Sequence, residues 1–369
     1  MKIICLQEKL KKAISIVERV TGKNINLPIL SNILIETDKG RLKVSATDLE
    51  IGLTTWVSAK VDEDGKITVP VGVLSNFVSS LPQDKVSLES EKHDLMVKCN
   101  NFNANIKGMS AEDFPIIPKI EENPLFIIKS RDFHKALSQV HQAASFSDTR
   151  PEISGVLFKI TQQGDLKLVA TDSFRLAEKV MKKALPQQNQ EISLIIPLKT
   201  IIELTRILSD IDKDIKITIK ENQILFDIED IQLISRLIEG HFPDYERIIP
   251  QEFQTEVVVE KDKLIEAIKI ASFFVTKVND INLSFSNKGL IEISSKSQEL
   301  GEHNSSIKAE VKGEDVKLVF NYRYLIDGLN NTDKNKVILR ANGKERPLLM
   351  KSATDNSYTY IAMPVRDTE

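Results

Sequence analysis

Apolar side chains recur with helical spacing at three widely separated places in this chain. Leu10, Ala13, Ile14 and Val17 fall at i, i+3, i+4 and i+7, one face of an α-helix. The set returns as Phe133, Ala136, Leu137 and Val140, and again as Leu264, Ala267, Ile268 and Ala271, displaced by 123 and then 131 residues. After each helix comes an alternating run, a turn with glycine and a second run: 32–37 to 41–44, 156–160 to 166–169, and 282–285 to 290–293. The turn glycines Gly40, Gly164 and Gly289 are predicted to hold positive φ, which hairpin turns of this length demand. Pro70, Pro197 and Asn321 mark the start of a second helix in each unit. Its apolar residues are Val73, Leu74 and Phe77, then Ile201, Leu204 and Leu208, then Tyr324, Leu325 and Leu329. About three short strands close each unit, among them 85–88, 215–219 and 336–339.

The pattern predicts an α+β protein of three repeated domains, each with two helices on curved antiparallel sheets. Proline-marked connectors at 119–124 and 249–253 place the boundaries at 1–122, 123–250 and 251–369. The connectors are short, which argues for a rigid assembly.

Composition narrows the function by exclusion. Among 369 residues, 41 % are apolar and 28 % charged, the balance of a globular chain, and the net charge is −3. Two cysteines, Cys5 and Cys99, offer no disulfide framework or zinc knuckle. There is no signal-peptide core at the N-terminus, and no apolar run approaches the ~20 residues of a membrane span. These features predict a reduced, cytoplasmic protein. Of the five histidines, His134 and His141 lie seven apart without a third ligand, so a metal site is not expected. No HExxH, GxSxG, GxxxxGK[ST] or GxGxxG motif occurs, and the scattered carboxylates form no evident acid–base pair. Neither catalysis nor a cofactor is expected.

Charge placement is more telling. The proposed helices 8–20, 69–81, 131–144, 197–209, 261–275 and 321–329 together carry +5, leaving −8 on the rest. Two readings stay open: solvated helix faces that happen to carry lysine, or helices turned toward polyphosphate. Sequence-independent DNA binding requires phosphate-directed Lys and Arg without base-reading side chains. The window 69–81 has no charge at all and does not support the second reading.

Four segments, 27–32 (LPILSN), 170–177 (ATDSFRLA), 242–250 (FPDYERIIP) and 361–366 (IAMPVR), in this order and spacing resemble the bacterial DNA polymerase III beta subunits, the replicative sliding clamps. The resemblance spans the chain, including its threefold repeat. It implies a head-to-tail homodimeric ring whose helices line a hole around duplex DNA. By position, Lys12, Arg19, Lys135, Lys199, Arg206, Lys263 and Lys269 are the candidates for that lining, each with an ordinary solvated side chain as the alternative. Ring closure is implied to involve Phe273 and Phe274 at a helix end, facing Ala104 and Ile106 on an edge strand of the other copy. Adjacent phenylalanines cannot both face the core of one helix.

The resemblance also implies an apolar cleft for short linear peptides of the DNA polymerase III alpha subunit, the clamp loader, other polymerases and mismatch-repair proteins. Its walls would be Ile153, Gly155, Thr171, Ser173, Phe174, Arg175, Leu176, Pro243, Arg247, Ile248, Asn321, Tyr324, Ile361, Met363, Pro364, Val365 and Arg366. Without the resemblance most of these read as core residues. The chain departs from the family pattern at Ser173-Phe174, where a small residue and a polar one are common, and in an acidic tail, Asp367-Thr368-Glu369, after the arginine. An enzyme using scattered carboxylates, or a repeat-built scaffold that never encloses DNA, are the competing classes.

Overall fold

A computed structural model describes residues 1–22, 27–147, 149–186 and 190–365. The first repeat runs β1 (Lys2–Leu6), α1 (Gln7–Val17), β2 (Asn32–Asp38), β3 (Arg41–Thr47), β4 (Ile51–Ser58), β5 (Lys60–Glu63), β6 (Lys66–Pro70), α2 (Val71–Ser80), β7 (Lys85–Glu91), β8 (Asp94–Cys99) and β9 (Phe102–Lys107). The second runs β10 (Phe126–Lys129), α3 (Ser130–Val140), β11 (Gly155–Ile160), β12 (Leu166–Thr171), β13 (Arg175–Met181), β14 (Ile192–Pro197), α4 (Leu198–Leu208), β15 (Asp214–Lys220), β16 (Gln223–Ile228) and β17 (Ile231–Arg236). The third runs β18 (Thr255–Glu260), α5 (Lys261–Ala271), β19 (Asp280–Ser286), β20 (Leu290–Ser297), β21 (Gly301–Lys308), β22 (Glu310–Gly313), β23 (Val316–Asn321), α6 (Tyr322–Asn330), β24 (Lys336–Ala341), β25 (Leu348–Ser352) and β26 (Tyr358–Ala362).

The helical stripes are buried as the spacing predicts: Leu10, Ala13, Ile14 and Val17 on α1, and their counterparts on α3 and α5. The turn glycines stand at φ 75°, 84° and 81°. The first helix of each repeat is shorter than expected and ends in a 3₁₀ turn, at Glu18–Val20, His141–Ala143 and Ser272–Phe274. On α2 the buried set is Val71, Leu74 and Val78, whereas Val73 is exposed.

A deeper repeat is carried by hydrogen bonds. The backbone N–H groups of Gln7, Ser130 and Lys261, each heading a first helix, donate to the carbonyls of Asp84, Lys213 and Asn335 at 2.9, 2.9 and 2.7 Å. Their side chains donate in turn to carbonyls at or just after the end of the second helix. Gln7 Nε2 reaches Val78 O at 2.7 Å, Ser130 Oγ reaches Ile211 O at 2.7 Å, and Lys261 Nζ reaches Thr332 O at 3.0 Å. Three different residue types thus perform one task, tying the start of the first helix to the segment at or after the end of the second.

The chain divides into two compact units, residues 1–133 with 202–237 and residues 134–201 with 238–369. The first holds a five-stranded sheet ordered β5-β1-β7-β8-β9 and an eight-stranded sheet ordered β10-β15-β16-β17-β4-β3-β2-β6. The second holds a nine-stranded sheet ordered β14-β11-β12-β13-β26-β25-β24-β18-β22 and a four-stranded sheet ordered β21-β20-β19-β23. Two antiparallel pairings join strands of neighbouring repeats: β17 with β4, and β13 with β26. The middle repeat is thereby shared, its strands completing one sheet in each unit.

Gly328 on α6 lies against the buried Tyr360 ring, where an added Cβ would meet Cδ1 at 2.5 Å. The ring cannot swing aside. Gly328→Ala gains about 1 kcal/mol of helix propensity but overpacks this contact, at about 1–3 kcal/mol. The urea midpoint of the variant should fall; an equal or higher midpoint would contradict the packing. Among the described residues, no helix is long and apolar enough to cross a membrane.

Candidate functional site

In the second unit, β13 and β26 pair with Leu176 opposite Ile361 and Arg175 opposite Ala362. The turn before β13 is fully bonded. Asp172 Oδ1 accepts the backbone N–H groups of Phe174 and Arg175, both at 2.9 Å, and Thr171 Oγ1 donates to Arg175 O at 2.7 Å. Ser173 takes φ 77°, a left-handed conformation that non-glycine residues rarely adopt, and its Oγ accepts from Arg150 Nη1 at 2.8 Å. Phe174 is left 61 % exposed, yet its carbonyl is fixed by the Met363 N–H at 2.8 Å. An aromatic ring on a rigid turn beside apolar side chains suits an anchor for a partner.

Arg175 ties three elements together. Its Nε donates to Asp172 Oδ2 at 2.9 Å, its Nη1 to Asp327 Oδ2 on α6, and its guanidinium lies 4.7 Å from the Tyr324 ring centroid. Burial works against its charge, but the Tyr360 hydroxyl, Asp172 and Asp327 outweigh it and hold the group above its ordinary value.

Beneath the turn, Leu157, Val169, Leu176, Ile195, Tyr245 and Ile361 form a buried cluster, with Ile238, Phe242 and Ile249 packed against it. The 3₁₀ turn Tyr245–Ile248 is pinned to it: Tyr245 Oη donates to Glu178 Oε2 at 2.7 Å, and Glu246 Oε1 accepts from Lys167 and Lys159 at 3.0 and 3.2 Å. The Lys167 hydrogen bond is the main cause that keeps Glu246 below the usual carboxylate range. Arg247, paired with Asp244 at 2.7 Å, and Ile248 project into solvent from this turn, and Pro243 just before it is half-buried. Farther along, Val365 N–H donates to Val319 O on β23 at 2.8 Å.

Strand pairing and hydrogen bonds bring Thr171, Ser173, Phe174, Arg175, Leu176, Ile361 and Met363 together, with Tyr324 beneath the Arg175 guanidinium; of these, Leu176 and Ile361 belong to the apolar cluster. Pro364 and Val365 extend the wall along a cavity of about 280 Å³ that Met363 also lines. Ile153 is buried and Gly155 opens β11, where a Cβ would strike Ile196 O at 2.4 Å. Asn321 caps α6, its Oδ1 accepting from Arg323 N–H at 3.0 Å. Arg366 lies outside the described residues. The spacing gave no sign of Asp327 or of Lys317 and Lys344, which line the same cavity. Asp172 had a signal: an Asp three residues before an Arg, opening a turn.

On the helices, Lys12 and Arg19 are exposed in the first unit, and Lys199 and Lys269 in the second. Lys135 is paired with Asp333 at 2.8 Å and Lys263 with Glu260 at 2.9 Å. Arg206 departs from expectation. Its donors reach Glu203 Oε2 at 2.8 Å and the α1 carbonyls of Ile16 and Ser15 at 2.9 and 3.5 Å, so it is committed to capping α1. His141 Nδ1 lies 3.0 Å from Leu137 O, and the described residues hold no group of three or more His, Cys, Asp or Glu with metal-binding geometry.

Phe273 is 72 % exposed, whereas Phe274 turns back and stacks on His303 with centroids 6.0 Å apart. β9 and β21 each pair on one side only. Along β9, Ala104 is half-buried, but Ile106 is only 5 % exposed and belongs to the core of its own sheet. Alternation explains this gradient in exposure. Phe102, Ala104 and Ile106 share one face that runs from solvent into the core, and Phe102 is exposed at its outer end.

Three copies of a two-helix, antiparallel-sheet unit, merged through shared sheets, define the class: a three-domain clamp protein. Residues 1–118, 127–244 and 246–366 match, in order, the N-terminal, central and C-terminal domains of the DNA polymerase III beta subunit. The beta sliding clamp of Staphylococcus epidermidis is 31 % identical over 352 residues, 92 % of each chain. That of Bacillus subtilis is 28 % identical over 378 residues, covering 99 % of this chain and 100 % of the relative. Among solved structures, the Bacillus subtilis DNA polymerase sliding clamp superposes with a TM-score of 0.94 at 28 % identity, over 99 % of both chains. A Pseudomonas aeruginosa sliding clamp bound to griselimycin superposes with 0.92 at 29 % identity, again over 99 % of both. The chain belongs to the DNA polymerase III beta subunit family, the sliding clamps. Its function is that of a processivity clamp, a non-catalytic subunit in replication.

Proposed function

We propose that two copies of this chain close head to tail around duplex DNA and tether the replicative polymerase to its template. The observation that carries this reading is the threefold two-helix unit, with lysines on the exposed faces of α1 and α5 and Arg19 on the turn that ends α1. We assign the domains as 1–122, 123–250 and 251–369, a division supported by the three family spans. Lys12, Arg19, Lys199 and Lys269 are the proposed phosphate contacts. Lys135 and Lys263 join them through exposed ion pairs, which are weak enough for phosphate to replace. Arg206 serves the lining indirectly, by holding α1.

A closed ring retains DNA by topology, so its lining needs only modest attraction, and a tighter basic surface would slow sliding. Phe273 and Phe274 with Ala104 and Phe102 form the proposed seam, a heterologous contact that closes at two copies. The cluster around Phe174, Arg175 and Met363 is the proposed docking cleft for short peptides of the polymerase III alpha subunit, clamp loader, other polymerases and mismatch-repair proteins. Such work places the protein in the cytoplasm, which suits its two free, buried cysteines.

The test uses labelled clamp loaded onto a nicked circular plasmid by a loader and ATP. Retention on the circle at high salt, with complete loss once the DNA is linearised, is expected. Equal retention before and after cutting, falling steeply with salt, would show ordinary electrostatic binding and refute the ring.

A further inference from the structure

The turn that Asp172 opens has a counterpart in the first unit. Residues 46–51 (ATDLEI) share the opening of 170–175 (ATDSFR), and between β3 and β4 they build the same turn. Thr47 Oγ1 donates to Ile51 O at 2.8 Å, as Thr171 does to Arg175 O. Asp48 Oδ1 accepts the backbone N–H groups of Glu50 and Ile51 at 3.0 and 2.8 Å, as Asp172 does those of Phe174 and Arg175. Leu49 takes φ 79°, beside the 77° of Ser173. The strand that follows pairs with β17, and Arg236 N–H donates to Glu50 O at 3.0 Å, the bond that Met363 makes to Phe174 O.

The side chains on this shared backbone differ. Gly52 stands opposite Ile234 where Leu176 stands opposite Ile361, and a Cβ added to it would lie 2.8 Å from Cγ2 of both Ile117 and Ile234. Ile117 belongs to the connector segment 115–118 (PIIP), in which a proline at each end restricts the backbone. This segment, Leu49 and Ile234 line a cavity of about 220 Å³. Pockets for small molecules begin at about 300 Å³, so this one suits a single side chain. Ile116 is 93 % exposed, and Leu49 is exposed as well. A leucine in the left-handed region is strained, and strain of this kind clusters where ligands are held. The charged residues of the lining, Glu50 and Arg236, lie 3.6 Å apart and balance each other, so the site offers an apolar contact without net charge.

We propose that this junction of the first and second repeats is a second docking site, for a short linear peptide of a partner protein that packs one apolar side chain against Leu49 and Ile116. The kind of ligand rests on the peptide-cleft reading above, because the two turns share one backbone geometry and a common set of hydrogen bonds. Their selectivity differs. Glu50 stands where the cleft has Phe174, and Arg236 where it has Met363, so the two sites take different peptides. With its charges balanced, the second site binds through apolar contact and is nearly indifferent to salt.

The experiment pans a random linear heptapeptide library on phage against the full chain, in one arm unaltered and in the other carrying Phe174→Ala. Synthetic peptides from the second arm should bind the unaltered chain in fluorescence anisotropy with Kd of about 1–100 μM, changing less than about twofold between about 50 mM and about 0.5 M salt. Ile116→Ser and Leu49→Asn should each weaken them about tenfold, and Phe174→Ala should not. Ile116 is exposed, and asparagine tolerates the left-handed region, so both variants should keep the thermal midpoint of the unaltered chain. Peptides indifferent to both substitutions, or no peptide from the second arm, would overturn the second site. A sedimentation coefficient changed by Ile116→Ser would assign the patch to a contact between copies and overturn it too. Failure of the cleft reading shows separately, as the absence from the first arm of peptides that Phe174→Ala abolishes.

Discussion

Replacing Phe273 and Phe274 together by alanine should turn the proposed dimeric ring into monomers of 41.6 kDa. Phe273 is 72 % exposed, an unfavourable place for a large aromatic ring left without a partner. Phe274 adds a second ring at the same helix end, held by its stack on His303. Removing both should cost about 3–6 kcal/mol at each seam, or about 10²–10⁴ in its dissociation constant. A ring closed by two identical seams meets that loss twice, so the effect on the dimer is larger still. Sedimentation velocity at about 1 μM reads the outcome directly.

Phe273→Ala alone separates assembly from folding. The side chain is exposed, so its loss should leave the thermal midpoint of the isolated subunit unchanged while still weakening the dimer. Phe102→Ala on the facing strand should weaken it from the other side, whereas Ile106→Ala should destabilise the fold, because that residue is buried in its own sheet. A double Phe variant that stays dimeric at low micromolar concentration would refute the seam.

The parts of the fold legible in the sequence are those set by local patterns. A stripe such as Phe133, Ala136, Leu137 and Val140 reports its own helix face, and Gly40, Gly164 and Gly289 report turns whose φ only glycine adopts easily. The strands ahead of each first helix were missed. β1, β10 and β18 are only 5, 4 and 6 residues long, and such short runs give little periodicity to count. The joining of β17 to β4 and of β13 to β26 is a long-range pairing that no local pattern encodes. The site divides the same way. The turn from Asp172 to Arg175 is contiguous and could be read, but Asp327 and Lys317 reach it only through the fold. The depth of Ile106 could not be read because alternation alone fixes a face, not how deeply that face is covered at each step.

Arg175 should prove the least replaceable side chain of the proposed cleft. One guanidinium serves two carboxylates from different elements, Asp172 through Nε and Asp327 through Nη1, while lying over Tyr324. Its side chain is only 14 % exposed, so truncation leaves the carboxylates short of both solvent and cation. Removing one partner of a fully buried pair costs about 3–5 kcal/mol. Asp172 still accepts two backbone N–H groups, and Asp327 retains some solvent, so Arg175→Ala should cost about 2–4 kcal/mol. Arg175→Lys keeps the charge, but a single ammonium lacks the planar fork that reaches both acids, so it should fall between. The loss also reaches function. Arg175 follows Phe174 on a turn whose geometry its contacts fix, and freeing the turn should lower peptide affinity about tenfold through lost preorganisation. The cycle with Asp327→Asn distinguishes the cause: if the network is responsible, the double variant should recover about 1–3 kcal/mol relative to the sum of the singles. Strict additivity in urea denaturation would show that Arg175 acts through packing on Tyr324 alone.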